Sequence, residues 1–336
     1  MTRRTSLLVV LSTIALAAVV LLAVLSEGRA PDAPARPRLA RATVGAAVDV
    51  GTDPVAVAVG AGAVWVVDAA DGTLTKIDPK TGAVDGKPRR VAGGPFAVAV
   101  GAGAVWVACG DGTISAHDLR DGRPFGPTAT VPGANGMAVG AGGVWVSSRR
   151  AGTVTRVDPR TRRTDPPIRV GRGPADVAVG LGAVWVANAD GGSVTRIDPR
   201  SRRARAPIAV GARQVLALAV GEGAVWAVRA GGPDADRTQL VRIDPRGAAV
   251  VGDPIRVPGA VPLDVAAASD VWVTDSGGAV GARRGGLTRV DPVAGKVAGP
   301  PLRPGRRPSA VALGEGGAWV TDEDAGTLTR ISVASP

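Results

Sequence analysis

The sequence predicts an all-β fold, a seven-bladed β-propeller with four-stranded blades, and two observations carry that prediction. A short apolar segment of the type found at residues 184–188 recurs at intervals of 39 to 47 residues. Each copy is centred on one tryptophan, and the copies use every tryptophan of the chain: Trp65, Trp106, Trp145, Trp185, Trp226, Trp272 and Trp319. A period of about 40 residues with one tryptophan per period is typical of a propeller repeat.

The repeat that contains Trp185 divides into four strands. Residues 174–179 and 183–187 form the first two around a Gly-Leu-Gly turn, and residues 188–192 supply the Asn, Asp and Gly that hairpin turns favour. Residues 193–197 alternate polar and apolar side chains, as a half-buried strand does, before Asp198-Pro199 ends the strand. Residues 206–211 supply the fourth strand. No segment inside the repeats has helical periodicity.

The two ends of the repeat region are complementary. The last repeat stops after its third strand, at residues 329–332, whereas residues 47–51 match the fourth strand at residues 206–211. An N-terminal strand therefore completes the seventh blade and closes the ring, which removes the open sheet edges. We assign residues 44–333 to the propeller and residues 334–336 to a tail.

The N-terminal residues differ from the repeats in composition. Arg3 and Arg4 precede residues 7–25, in which only Ser12 and Thr13 are polar. A helix of this length, about 28 Å, spans a bilayer. The preceding positive charge predicts a single-pass protein of the bacterial cell membrane with an extracytoplasmic propeller. The alternative is a signal that is cleaved, which would leave the protein secreted. We assign residues 1–26 to this anchor or signal segment and residues 27–43 to a linker rich in Pro, Ala and Arg.

The charge and the single cysteine limit the function further. The chain has a formal net charge of +11, and residues 1–43 account for +4 of it, with six Arg against Glu27 and Asp32. The propeller therefore keeps 11 − 4 = +7. One cysteine excludes an intramolecular disulfide. That residue, Cys109, aligns with Asn188 after the tryptophan strand, and we expect it near the surface without a redox role.

The Val-Trp-Val-Ala-Asn segment at residues 184–188, the Gly-rich turn and the Thr-Arg-Ile-Asp-Pro segment at residues 195–199 resemble the YVTN-type repeats of YncE-like bacterial propellers. The chain is also similar to the streptogramin B (virginiamycin B) lyase family, another seven-bladed propeller. That resemblance implies elimination across an ester bond by a catalytic His near bound magnesium. The only histidine, His117, aligns with the strand residue Ile197, on the face opposite the channel mouth, so the catalytic pattern is not matched.

Comparison of the repeats singles out two carboxylates. The first strand of every repeat has an Ala two residues before its end, and two positions earlier the repeats carry Ala56, Ala97, Gly136, Asp176, Ala217, Asp264 and Ala310. We expect Asp176 and Asp264 to point toward the channel mouth, as ligands for a cationic group or a divalent metal. Alternatively, they accept backbone N–H groups at the strand starts.

Two turns between the second and third strands are enlarged, at residues 229–238 and 275–286. Insertions on adjacent blades of one face are typical of a binding rim, although tolerated loop variation explains them equally well. The charged residues of these turns are candidate ligand-binding residues: Arg229, Asp234, Asp236, Asp275, Arg283 and Arg284.

Arginine-rich turns at residues 160–163 and 200–205 lie on the opposite face. They are candidates for contact with anionic lipid or a wall polymer, or they are simply a solvated surface. No aromatic residue is interleaved for base stacking, so we expect no nucleic-acid partner.

These observations favour a monomeric, non-catalytic extracytoplasmic module that binds a protein or small-molecule ligand, without a catalytic residue or cofactor apart from a divalent cation. The alternative is a lyase-like enzyme that acts on a small molecule through Asp176, Asp264 and a divalent metal. A purely structural display domain is the third reading.

Overall fold

The computed structural model describes residues 41–211, 214–230, 238–259, 261–277 and 284–333. These residues form seven antiparallel sheets, one for each tryptophan repeat, which we number as blades 1 to 7 in the order of the tryptophans. The predicted seven-bladed propeller with four-stranded blades is confirmed. The described residues contain no α-helix, and a single 3-10 turn covers Ala189–Gly191 in blade 4.

Each blade consists of an inner, a second, a third and an outer strand. The inner strands are Pro54–Gly60, Pro95–Gly101, Ala134–Gly140, Pro174–Gly180, Gln214–Gly221, Pro262–Ala267 and Pro308–Gly314. The second strands are Ala63–Asp68, Ala104–Cys109, Gly143–Ser148, Ala183–Asn188, Ala224–Ala230, Val271–Asp275 and Gly317–Asp322. The third strands are Thr73–Ile77, Thr113–His117, Thr153–Val157, Ser193–Asp198, Gln239–Asp244, Gly286–Asp291 and Thr327–Val333. The outer strands are Arg89–Arg90, Ala129–Thr130, Ile168–Arg169, Arg203–Ala204 with Ile208–Ala209, Ala249–Arg256, Lys296–Val297 and Ala42–Asp49.

The repeated tryptophan packs each blade onto the following one. Trp65 of blade 1 lies opposite Ala58 of the inner strand and packs against Val98 and Val105 of blade 2. The glycine that ends the inner strand permits this close approach, since a Cβ at Gly60 would lie 2.9 Å from the Val100 side chain of blade 2. The tryptophan face of every blade is therefore buried between blades, and this repeated contact forms most of the core.

Cationic side chains of the third strands cover the tryptophans on the outer side. In blades 1, 4, 5, 6 and 7 a cation lies 5.4 to 5.9 Å from the tryptophan centroid, and the residues are Lys76, Arg196, Arg242, Arg289 and Arg330. Three of these also reach the next blade. Lys76 donates to the Arg120 carbonyl at 2.9 Å. Arg196 donates to the Pro245 carbonyl at 3.1 Å, and Arg330 donates to the Pro79 carbonyl at 3.0 Å. One residue position thus stabilises both the tryptophan and the contact between blades.

The outer strand of blade 7 comes from the N-terminal end of the described chain. Ala42–Asp49 runs antiparallel to Thr327–Val333, with Ala42 opposite Val333. This strand begins two residues earlier than our predicted propeller start at residue 44. Blade 7 also contacts blade 1, where the Ser309 hydroxyl donates to the Pro54 carbonyl at 3.1 Å.

The predicted anchor at residues 1–26, most of the linker and the tail at residues 334–336 lie outside the described residues. No helix among the residues that are described is long and apolar enough to cross a membrane. The propeller is a compact unit in its own right, and all seven hydrophobic clusters of the described chain belong to it. These sheets hold their core without residues 1–40, so we expect the propeller to fold independently.

Candidate functional site

A cavity of about 420 Å³ lies at the end of the channel where the seven inner strands begin. Every blade contributes to its lining, and Glu323 extends the wall from the turn after the second strand of blade 7. The volume is within the range of about 300–1,000 Å³ that small-molecule sites occupy. The channel mouth is therefore the part of the described structure where all seven repeats can act on one ligand.

The residue at one rim position of this cavity varies from blade to blade, and five of the seven side chains there are apolar. That position lies near the start of each inner strand and carries, in chain order, Val55, Phe96, Asn135, Ala175, Leu216, Leu263 and Ser309. The charged residues in the lining are Asp176, Asp264 and Glu323, and no lysine or arginine of the described chain lines the cavity. In a chain with a net positive charge, the charged residues of the described cavity lining are thus all acidic.

Asp176 and Asp264 each connect two blades. Asp176 of blade 4 accepts the N–H of Val177 at 2.7 Å and the N–H of Leu218 in blade 5 at 2.8 Å. Asp264 of blade 6 makes the same pair of bonds, with Val265 at 2.8 Å and with Val311 of blade 7 at 2.9 Å. Both side chains are half-buried. They point along the tryptophan face to the next blade and not at the channel axis, although both line the cavity.

The two carboxyl groups have perturbed acidity. Burial and the charge of Asp264 together raise the pKa of Asp176 to about 7, against the lowering effect of the two N–H bonds. Burial likewise raises the pKa of Asp264 to about 6. At neutral pH Asp264 is mostly ionised and Asp176 partly so. A cation that entered the mouth would favour the ionised form of both.

Two polar residues of the lining were not singled out from the sequence. Asn135 donates to the Ala175 carbonyl of the next blade at 3.1 Å, and its amide oxygen accepts the N–H of Arg149 at 3.1 Å. Glu323 lies 3.3 Å from the Arg307 guanidinium, and burial raises the pKa of its carboxyl group. An alignment of the rim position across the seven repeats would have identified Asn135 as its one amide.

Three of the candidate ligand-binding residues in the two enlarged turns take part in contacts within the protein. Arg229 donates twice to the Gln239 side chain, at 3.0 and 2.7 Å, and Asp275 accepts the N–H groups of Val261 and Gly277 at 2.8 and 3.1 Å. Arg284 is exposed, and its carbonyl accepts a bond from Arg303 at 2.8 Å. None of the three is among the residues that line the mouth cavity. Asp234, Asp236 and Arg283 lie outside the described residues.

His117 and Cys109 are both buried in blade 2. The imidazole of His117 lies between the Ser115 hydroxyl, 2.9 Å from Nε2, and the Gly122 carbonyl, 3.0 Å from Nδ1, and burial lowers its pKa. It belongs to the third-strand end opposite the channel mouth. The expectation that Cys109 lies near the surface is wrong. Burial raises the pKa of its thiol to about 11, because the side chain faces the packed interface and not the turn.

Within the described ranges, no group of three or more His, Cys, Asp or Glu side chains is arranged to hold a metal ion. Asp176 and Asp264 supply two carboxylates, each of which already accepts two N–H groups. A role for them as ligands of a divalent cation stays a prediction.

No protein-family model and no curated protein sequence matches the chain. Its fold is similar to that of solved propellers. The virginiamycin B lyase from Staphylococcus aureus is 14% identical, with a TM-score of 0.73 over 88% of this chain and 100% of that one. The Kuenenia stuttgartiensis hydrazine synthase is 14% identical, with a TM-score of 0.71 over 92% and 100%. BamB from Moraxella catarrhalis is 15% identical, with a TM-score of 0.58 over 86% and 84%. These proteins agree with the predicted propeller fold. At such identities they show the fold alone.

Proposed function

We propose that this chain is a non-catalytic binding propeller that takes its ligand at the channel mouth. The observation that carries the proposal is the segregation of charge there. Among the described residues that line the cavity, Asp176, Asp264 and Glu323 carry charge and no lysine or arginine does, in a protein that has a net positive charge. Carboxylates that are partly shielded from water attract a cation more strongly than exposed ones do.

The residues of the rim suit a ligand that has both a cationic group and an apolar part. Phe96, Leu216 and Leu263 offer apolar contact in the same cavity as the two aspartates, and Asn135 offers an amide. A small molecule with an amine or guanidine meets this description, and so does a lysine or arginine presented on a protein loop. Similarity to BamB is compatible with a protein partner, although it extends only to the fold.

A lyase-like enzyme is the second candidate function, and one observation favours it. A carboxyl group with a pKa of about 7, such as Asp176, is in the range that suits a general base at neutral pH. A divalent metal at Asp176 and Asp264 would complete that proposal. Against it, His117 is enclosed in blade 2 and is absent from the cavity lining.

The double substitution Asp176→Ala with Asp264→Ala tests the site. Four other blades carry Ala at this position, so we expect the variant to keep its fold. Thermal unfolding with a panel of amines, guanidines and divalent cations should show shifts for the natural chain that the variant lacks. A ligand at 100 times its Kd adds about 2.7 kcal/mol.

Asp253→Ala, which removes an exposed carboxylate of blade 5, is the matched control. Shifts that survive the double substitution would place binding away from the mouth and overturn the proposal. Turnover of a small ester that the double variant loses while it stays folded would favour the enzyme.

We also propose an extracytoplasmic location, with residues 1–26 as a membrane anchor or, alternatively, a cleaved signal, and a monomeric ring that is closed by Ala42–Asp49. Partners of the basic turns would be an anionic lipid or a wall polymer, and we propose no nucleic-acid partner. Cell fractionation with mass spectrometry of the mature N-terminus tests location and cleavage together. Recovery in the soluble cytoplasm would contradict both alternatives.

A further inference from the structure

One end of the propeller, which we call the basic face, carries the turns between third and fourth strands. In blades 3 and 4 these turns are residues 158–165 and 198–205, with seven arginines against three aspartates, a net of 7 − 3 = +4. The corresponding residues 118–125 of blade 2 and 244–251 of blade 5 each have equal numbers of acidic and basic side chains. The excess charge is therefore concentrated on two adjacent blades.

The aspartates of these two turns are already engaged. Asp158 and Asp198 each accept two backbone N–H groups of their own turn at 2.9 to 3.0 Å. Asp165 pairs with Arg156 of its own blade at 2.8 Å and with Arg202 of blade 4 at 3.1 Å. The second ion pair connects the two turns, so they present one continuous surface.

Five arginines of this surface are exposed and form no ion pair or side-chain hydrogen bond with any described residue. They are Arg160, Arg163, Arg200, Arg203 and Arg205. The tip of the turn, where Arg160 and Arg200 lie, carries a cation in three further blades, namely Lys80, Arg120 and Arg246. The aspartates of those three turns equal or outnumber the cations, so the excess positive charge stays on blades 3 and 4.

Large apolar side chains are exposed on the same face. Leu181 is 44% exposed in the turn between the first and second strands of blade 4, and Val293 is 79% exposed at the turn tip of blade 6. In blades 1, 2, 3, 5 and 7 the equivalent turns carry Ala or Glu at the position of Leu181. Phe125, 43% exposed, lies beside the turn of blade 3. Exposed apolar residues among cations are typical of surfaces that sit in a membrane interface.

The described chain also begins on this face. Ala42 lies opposite Val333, and the repeat alignment places Val333 level with Pro159 and Pro199 of the basic turns. Blade 7, which contains this pair, is three blades away from both blade 3 and blade 4 around the ring. The first strand of the described chain therefore begins on the basic face on the opposite side of the channel from the arginine cluster.

We propose that the basic face binds an anionic lipid bilayer. Arg160, Arg163, Arg200, Arg203 and Arg205 bind headgroup phosphates, while Leu181 and Val293 enter the interfacial layer. The apolar side chains favour a bilayer over a soluble polyanion, which would gain nothing from them. The channel mouth then faces away from the membrane, where a ligand can reach it.

Vesicle binding by residues 41–336 tests the proposal, with phosphatidylglycerol mixed into phosphatidylcholine and with phosphatidylcholine alone. One variant replaces Arg160, Arg200 and Arg203 with Gln. Its matched control replaces Arg150, Arg172 and Arg256, three exposed arginines at the mouth end, and so removes the same charge. Each interfacial arginine contributes about fivefold to binding, so the first variant should bind anionic vesicles about a hundredfold more weakly.

Equal losses in the two variants would overturn the proposal, because net charge alone would then explain binding. Binding to soluble poly(glycerol phosphate) that is as tight as binding to vesicles, and indifferent to Val293→Ser, would also overturn it in favour of a wall polymer. Preferential binding of duplex DNA would overturn the proposal in favour of a nucleic-acid partner. Thermal unfolding of each variant verifies the fold.

The full chain provides a second measurement. Because Cys109 is buried, a fluorophore attached after Ser201→Cys labels the basic face, and one attached after Ala151→Cys labels the mouth end. With the full chain in anionic liposomes, a quencher on the lipid headgroup should quench the first label strongly and the second weakly. The reverse order would contradict the proposed orientation.

Discussion

The guanidinium of Arg162 lies 4.4 Å from the ring centroid of Trp106, across the boundary between blade 3 and blade 2. In five other blades a cation of the same blade's third strand covers the tryptophan. Blade 2 has Ala116 at that position, directly opposite Trp106. Arg162 supplies the missing cation from the neighbouring turn, and its guanidinium also lies 5.1 Å from the ring centroid of Phe125.

We predict that Arg162→Ala destabilises the propeller by about 1–2 kcal/mol, the usual contribution of a partly desolvated cation–π contact. For a propeller of this size each kcal/mol lowers Tm by about 1.5 °C, because the entropy of unfolding is about 2.1 cal/mol/K per residue. Urea unfolding followed by tryptophan fluorescence measures it. Arg160→Ala, at an exposed position two residues earlier, should change stability by less than about 0.5 kcal/mol.

A compensating substitution makes this prediction sharper. Ala116→Arg in the Arg162→Ala background restores the third-strand cation that most blades have, and it should recover part of the lost stability. If Arg162→Ala and Arg160→Ala destabilised the protein equally, the contact with Trp106 would contribute nothing, and the stability of this turn would merely depend on its charge.

The contact between Arg162 and Trp106 also shows how far the sequence alone can lead. The spacing of the tryptophans predicts seven blades, because the blade is built from short local pairings that a repeat preserves. The direction of Asp176 and Asp264 was not predictable in the same way. An alignment shows that two residues share a position, but not that this position faces the next blade. Nor does it reveal that Leu218 and Val311 donate N–H groups there.

The rim of the cavity was missed for a related reason. Phe96, Asn135 and Leu263 have no residue type in common, so their shared position does not stand out in the repeats. The sequence alone groups Arg162 with the exposed arginines of its turn, because nothing in that turn indicates a contact with Trp106. Contacts between repeats depend on the packing of whole sheets, which local patterns do not encode.

Asp176 and Asp264 should make stability depend on pH. Their pKa values in the folded chain, about 7 and about 6, lie above the ordinary value of about 3.9 in an unfolded chain. Between these limits the folded state binds more protons, so the free energy of unfolding falls as the pH rises from about 4 to about 7. The contribution is fully present below pH 4 and is lost above pH 7.

Urea unfolding of the natural chain and of the Asp176→Ala, Asp264→Ala variant at pH 4.5 and pH 8 measures this dependence. The variant should lose less stability over that interval, since Ala at these positions does not titrate and four blades already carry it. An equal slope in the two proteins would show that the aspartates titrate normally.

Cys109 should be unreactive in the folded protein. Burial raises its pKa to about 11, so at pH 8 only about one thiol in a thousand is ionised, and the thiolate is the reactive form. We predict that a disulfide reagent modifies the native chain at least about a hundredfold more slowly than the chain in urea. Rapid labelling of the native chain would mean that blade 2 opens locally.

The contact between the N-terminal strand and blade 7 can be tested at one glycine. Gly326 has φ +66°, its carbonyl accepts the N–H of Val50 at 3.0 Å, and a Cβ there would overlap the carbonyl oxygen of Gly51. Gly223 has φ +67° with open space around it, so Gly223→Ala pays only the backbone cost of about 1–2 kcal/mol. Gly326→Ala should cost about 1–3 kcal/mol more, because the added methyl group displaces the chain that leads out of Ala42–Asp49.

Thermal unfolding of the two variants gives the difference, and proteolysis in the native state should release the N-terminal strand of Gly326→Ala first. Equal Tm values for the two variants would mean that this strand does not hold the seventh blade in place.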